Sequence, residues 1–137
     1  SAEAMAFETG EWEALPSMAV PRRGLGVGAV AGRLVVAVGG WNGKENVTAV
    51  EALDTVSRSW HPLPPLQVPR CSLSCAVVDN RLFALGGWDG AQYLSSVESI
   101  DLGSSSSWRM EPPMRTPRSY AAASKTTLEG GADGGIV

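Results

Sequence analysis

At 137 residues the chain has the length of a single domain, with ample Gly and Pro for turns and the composition of a soluble globular protein. A net charge of −3 and a pI near 5.1 supply no basic stripe for nucleic acid. No apolar run approaches the ~20 residues of a membrane helix, and Ser1-Ala2-Glu3-Ala4 lacks the basic start and apolar core of a signal peptide, so a cytoplasmic protein is expected.

Residues 1–18 read as the second half of a structural unit: a strand at 4–7, a turn at Thr9-Gly10 and a strand anchored by Trp12. A complete unit follows at 19–66. Its strands are predicted at 24–30, 33–38, 47–54 and 60–63, and Pro64-Pro65 end the last one by removing backbone donors. The first strand is built from small residues (Gly24, Gly26, Gly28, Ala29), as a crowded innermost position demands. The second is a continuous apolar run, as in a strand covered on both faces. The third mixes polar and apolar residues and is expected at a more exposed position. A second complete unit at 67–114 repeats the pattern, with strands at 72–78, 81–85, 96–101 and 108–110.

The repeat is held at many columns. Arg33-Leu34-Val35-Val36-Ala37-Val38-Gly39-Gly40-Trp41-Asn42-Gly43 returns as Arg81-Leu82-Phe83-Ala84-Leu85-Gly86-Gly87-Trp88-Asp89-Gly90, the glycine doublets lying 47 residues apart. Trp12, Trp60 and Trp108 are spaced by 48, as are Pro21-Arg22, Pro69-Arg70 and Pro117-Arg118. Glu51 and Glu98 differ by 47, as do Asp54 and Asp101, and Glu3 precedes Trp12 by the nine residues that separate Glu51 from Trp60. Ala6 stands where an Asp is expected. A period near 50 residues signals a blade array, and four short antiparallel strands per repeat is the pattern of one propeller blade. A third unit begins at 115–125 with one strand and then fails. Residues 126–137, with Glu129-Gly130-Gly131-Ala132-Asp133-Gly134-Gly135, carry too little apolar surface to offset the entropy of ordering and are expected as a loose tail.

The glycine doublet, the Glu-x-x-Asp strand, the spaced Trp and the Pro-Arg pair together resemble the kelch repeat over residues 1–123. Gly86-Gly87-Trp88-Asp89-Gly90 with Leu94-Ser95-Ser96-Val97-Glu98-Ser99-Ile100-Asp101 is similar to the kelch domains of BTB-kelch, kelch-like adaptors of cullin ubiquitin ligases. Trp88-Asp89 is not a WD-repeat signature, because it follows a glycine doublet and its repeat mate is Trp41-Asn42. The fold class expected is all-β: kelch-type β-propeller blades, an incomplete ring of about two and three-quarter blades against the ~4–8 of a closed ring. The simplest reading is a segment of a longer protein. The alternative is a ring completed by several copies, since unclosed edges favour self-association.

In a four-stranded meander the two-to-three loops and the inter-blade loops share one face. That face gathers Arg22, Arg23, Arg70, Arg115 and Arg118 with Trp41, Asn42, Trp88, Asp89, Tyr93 and Tyr120. Arg, Trp and Tyr dominate interface hot spots, and Arg grips carboxylates bidentately, which points to an acidic peptide or loop of a protein partner. The resemblance implies that Trp41, Trp88, Arg22, Arg23, Cys71, Ser72, Ser119 and Tyr120 line a partner pocket, and that a cullin ligase is reached through domains outside this chain. Actin binding, seen in part of the family, is the alternative.

Structural roles compete with these. The glycine doublets provide positive φ and close packing. Trp12, Trp60 and Trp108 fit inter-blade packing. Arg33, Arg81, Glu51 and Glu98 fit hydrogen bonding between strands. The Pro-Arg arginines fit either ligand binding or bracing of a neighbouring blade, and Trp41 and Trp88 fit either binding or wedging between blades. Cys71 beside Arg70 is either a redox-sensitive thiol or a small inner-strand filler. Cys71 and Cys75, ~13 Å apart along one strand, are too distant for a disulfide. No enzyme activity and no cofactor are expected. The copper radical oxidases among kelch-like propellers need several imidazoles and this chain has one, His61; an oxidase or isomerase is disfavoured. No His is placed to activate a serine, and the sequon Asn46-Val47-Thr48 matters only in a secreted protein.

Overall fold

The computed structural model describes residues 2–30, 32–104, 107–126 and 135–136, and among these there is no helix. Two four-stranded sheets form the body. One contains β3 (Gly26–Val30), β4 (Leu34–Val38), β5 (Val50–Asp54) and β6 (Ser59–Leu63); the other contains β7 (Ser74–Val78), β8 (Arg81–Leu85), β9 (Val97–Asp101) and β10 (Arg109–Glu111). Each is an antiparallel meander in sequence order. The half-unit at the start pairs β1 (Ala2–Met5) with β2 (Trp12–Leu15). Its register, Glu3 opposite Ala14 and Met5 opposite Trp12, is that of Glu51 opposite Pro62 and Leu53 opposite Trp60.

Several strands begin later than the sequence suggests. Gly24 has a φ of +60°, which breaks the ladder before Gly26. The Val47 N–H turns back to the Gly40 carbonyl and the Thr48 carbonyl accepts from Leu66, so this segment serves as loop and β5 starts at Val50. The third strand is also more buried than expected: Val50, Glu51, Ala52 and Leu53 are all buried, as are Val97, Glu98, Ser99 and Ile100 of β9. The polar residues that suggested exposure are instead consumed by internal partners, described below.

Residues 126–137, expected as a loose tail, contain a two-residue ladder in which β11 (Lys125–Thr126) pairs with β12 (Gly135–Ile136). Backbone pairing needs no particular side chain, so glycine-rich composition did not prevent it. Lys125 opposite Ile136 repeats the register of Val77 opposite Leu82. Residues 127–134 and 137 lie outside the described residues.

The core lies between the sheets, with Val36, Val38, Leu53, Leu82, Ile100 and Trp108 among its most buried members. Small residues in β3 have a steric cause. A Cβ at Gly26 would fall 2.5 Å from Cys75 Sγ, and one at Gly28 would fall 2.6 Å from Leu82 Cδ1. The spaced tryptophans tie one blade to the preceding one: Trp108 Nε1 donates to the Pro64 carbonyl at 2.8 Å, and Trp60 Nε1 to the Pro16 carbonyl at 2.7 Å. Trp108 is 2% exposed, whereas Trp12 is 65% exposed.

Candidate functional site

The glycine doublet bends the chain at the end of β4 and β8. Gly39 and Gly86 have φ near +60°, and Gly40 and Gly87 near +100°. The bend lets Gly40 N–H donate to the Arg70 carbonyl at 2.9 Å and Gly87 N–H donate to the Arg118 carbonyl at 2.7 Å, each linking one blade to the next. Directly after it, Trp41 bridges to Arg23 and Asn46, and Trp88 bridges to Cys71 and Tyr93. The glycine-doublet loops and the Pro-Arg loops therefore do meet on one face.

Where they meet is a cleft of about 400 Å³ lined by Arg23, Gly24, Trp41, Asn46, Cys71, Ser72, Trp88 and Tyr120. Gly24, Ser72 and Tyr120 hold the same place in three successive units, and all have left-handed backbones, with φ of +60°, +53° and +54°. They form an inter-blade belt in which Ser72 N–H donates to the Gly24 carbonyl at 2.6 Å and Tyr120 N–H to the Ser72 carbonyl at 2.9 Å. The non-glycine members bear some strain, and this conformation holds them at the cleft.

Arg22 and Arg70, expected to grip a partner, do not face the cleft. Both side chains are 0% exposed. Arg22 donates to the Gly39 and Ala49 carbonyls and to Glu51 at 2.9 Å. Arg70 repeats this with the Gly86 and Ser96 carbonyls, Ser96 Oγ and Glu98 at 2.8 Å. Each guanidinium therefore pins its own blade's third strand to the glycine bend, and bracing is its role. Burial lowers the pKa of both arginines, with Glu51 and Glu98 opposing that shift. Nε of each is buried without an acceptor, the same atom in both blades, so the orphan belongs to the repeat geometry. The glutamates complete the knot: Glu51 accepts from Ala19 N–H, and Glu98 from Gln67 and Val68 N–H.

Two further expected contacts serve their own loops. Asn42 Oδ1 accepts from Lys44 and Glu45 N–H, and Asp89 Oδ1 accepts from Ala91 and Gln92 N–H. These N–H groups hold the Asp89 carboxyl below its usual range. Tyr93 packs edge-on against Trp88, ring centroids 4.8 Å apart, and supports the cleft wall from outside. Arg118 and Ser119 do not line the cleft, and Arg118 is exposed.

The sequence singled out Asn46 only as part of a sequon, not as a cleft residue. Its Nδ2 donates to the Trp88 carbonyl at 2.9 Å, joining the loop of one blade to the next, while Oδ1 is buried with no partner among the described residues. The 47-residue spacing to Tyr93, which bridges Trp88 as Asn46 bridges Trp41, was the available signal.

Cys71 and Cys75 are both free thiols. Burial pushes the Cys75 thiol up to about 12, against a smaller opposing effect of Arg70, so it is inert packing. Against expectation, a histidine does meet a serine: Ser59 Oγ and His61 Nε2 are 2.8 Å apart, two residues along β6 on the same side. His61 is exposed on an outer strand, and among the described residues nothing orients its other ring nitrogen, so the pair lacks the third group that makes such a dyad nucleophilic. A larger groove of about 600 Å³ beside Pro16, Glu51 and Trp60 has its polar groups already paired internally. No group of three or more metal-ligating side chains occurs among the described residues.

Repeated four-stranded antiparallel blades, with a cleft where their loops meet, define a segment of a β-propeller. The family described as Kelch motif matches twice, at residues 21–67 and 69–115, and the chain belongs to it. It is an incomplete kelch β-propeller. Kelch repeats are generally protein–protein interaction modules and mostly non-enzymatic.

Proposed function

We propose that this chain recognises a protein partner through the cleft between its two blades, and that it is the substrate-recognising segment of a cullin ubiquitin-ligase adaptor. The observation that carries the binding reading is the convergence of Arg23, Trp41, Cys71, Ser72, Trp88 and Tyr120 on one cavity from five different loops. Arg23 is exposed, and its side chain carries no ion pair among the described residues. A carboxylate can meet it bidentately while an apolar side chain packs on the tryptophans. The expected ligand is a short acidic segment bearing an aromatic or aliphatic residue. The similarity of the glycine-doublet and Glu-x-x-Asp stretches to ligase adaptors supports the finer reading.

The test selects acidic peptides from a display library and measures their affinity by fluorescence anisotropy. Arg23→Glu and Trp88→Ala are each expected to weaken binding by at least about 30-fold, the size of a hot-spot loss, with Arg109→Ala unchanged. Equal affinity across the variants would refute the cleft. Recovery of a cullin with the full gene product tests the ligase role, and co-sedimentation with actin filaments in place of a cullin would replace it.

A further inference from the structure

The two tryptophans of the cleft come from different blades, Trp41 from the loop after β4 and Trp88 from the loop after β8. One side chain ties those loops together. Asn46 bridges Trp41 through its backbone within its own loop, and its Nδ2 crosses to the next blade to donate to the Trp88 carbonyl at 2.9 Å. The same carbonyl accepts from Cys71 N–H at 3.0 Å, so both of its lone pairs are used. Tyr93, 47 residues beyond Asn46, instead packs its ring edge-on against Trp88 of its own loop. Trp88 is therefore held from the preceding blade through its backbone and from its own loop at its ring.

For folding alone Asn46 is a poor choice. Its Nδ2 gains one hydrogen bond, but its Oδ1 is buried with no partner among the described residues. An unsatisfied buried acceptor costs at least as much as a net hydrogen bond contributes. Turning the amide over gives no relief, because Oδ1 would then face the Trp88 carbonyl, acceptor against acceptor. A small apolar side chain would avoid that cost. Asn46 lines the cleft, yet neither polar atom is offered to a ligand: Nδ2 is spent on Trp88 and Oδ1 is sealed from solvent. What the side chain does at the cleft is hold Trp88 in place.

We propose that Asn46 is a positioning residue of the cleft: by fixing the Trp88 loop of one blade against the Trp41 loop of the other, it sets the spacing into which an acidic peptide packs. The inference rests on the reading that this cleft is the binding site. Without the clamp the Trp88 loop keeps its pairing with Cys71 and its ring contact with Tyr93, so the fold survives, but the two aromatic walls are no longer tied to each other through Asn46. A bound peptide then bears the cost of ordering them, and affinity falls.

The test is a double-mutant cycle on the full chain, with the tightest acidic peptide selected on the wild type as probe and fluorescence anisotropy as readout. Asn46→Ala should weaken binding about 10-fold. In Trp88→Ala the backbone carbonyl and the clamp remain but the ring is gone, so adding Asn46→Ala should change affinity by less than about 2-fold. The urea midpoint of Asn46→Ala should stay within about 0.3 M of the wild type, as for a surface substitution. A loss of binding in Trp88→Ala with none in Asn46→Ala would overturn the positioning role and leave the cleft standing. A 10-fold loss that persists without the Trp88 ring would make Asn46 a direct contact, and a larger fall in midpoint would make it a structural residue; either overturns the proposal. Equal affinity of the wild type and Trp88→Ala would remove the cleft reading and this inference with it.

Discussion

Removing either member of the Arg70–Glu98 pair should be among the most damaging single changes in this protein. Both side chains are fully buried, 2.8 Å apart. Arg70→Met leaves the Glu98 carboxylate without its cation and the Gly86 and Ser96 carbonyls without their donor. Breaking one side of a buried pair costs about 3–5 kcal/mol, a large share of the ~5–15 kcal/mol that holds a domain folded. With a urea slope of roughly 1–3 kcal/mol per M, the unfolding midpoint should fall by at least about 1 M. Arg33→Met is the internal control. Its pair with Asp54 is equally short at 2.8 Å, but the Arg33 side chain is 64% exposed, so its loss should cost under about 1 kcal/mol. Urea titrations followed by circular dichroism compare the two variants, and the double variant Arg70→Met/Glu98→Leu should recover part of the loss, since no charge is left stranded. An Arg70→Met midpoint within 0.3 M of the wild type, on the order of the effect of a surface substitution, would refute the bracing role and return Arg70 to the list of ligand contacts.

Gly39→Ala should destabilise by at least ~1 kcal/mol more than Gly10→Ala: both have positive φ, but only at Gly39 would the new Cβ meet a fixed carbonyl, Arg70 O at 2.5 Å. Equal thermal shifts would show that the bend tolerates a side chain. A maleimide at pH 8 should label Cys71 and leave Cys75 untouched until urea unfolds the chain, read by peptide mass. Because the folded state raises the Cys75 pKa from 9.0 to about 12, its contribution is full below pH 9 and is lost as pH rises toward 12. Cys75→Ala should flatten that alkaline loss, and an unchanged slope would contradict it.

Repeat spacing made the blades legible because each blade forms its pairings locally. Strand, tight turn and glycine bend recur at 47–48 residues, and the ladders follow in the same register. The same spacing placed Trp41 and Trp88 beside the Pro-Arg loops, because loop parity in a meander follows from strand count alone. It could not say which arginine of Arg22-Arg23 turns inward. Both are cations on one loop, and the choice rests on a glutamate 29 residues away and on carbonyls freed by the glycine bend. Nor could composition foresee that Gly135-Ile136 pairs with Lys125-Thr126, since backbone hydrogen bonding depends on neighbouring strands.

The amino-acid sequence by itself determined the period, the four strands of each complete blade and the face on which the variable loops emerge, all consequences of short-range pairing. Only the packing of one blade on the next decided which charges are buried, that Asn46 clamps Trp88, and that the cleft is edged by Ser72 and Tyr120 in left-handed backbone. Burial is a property of distant segments brought together, and no local pattern encodes it.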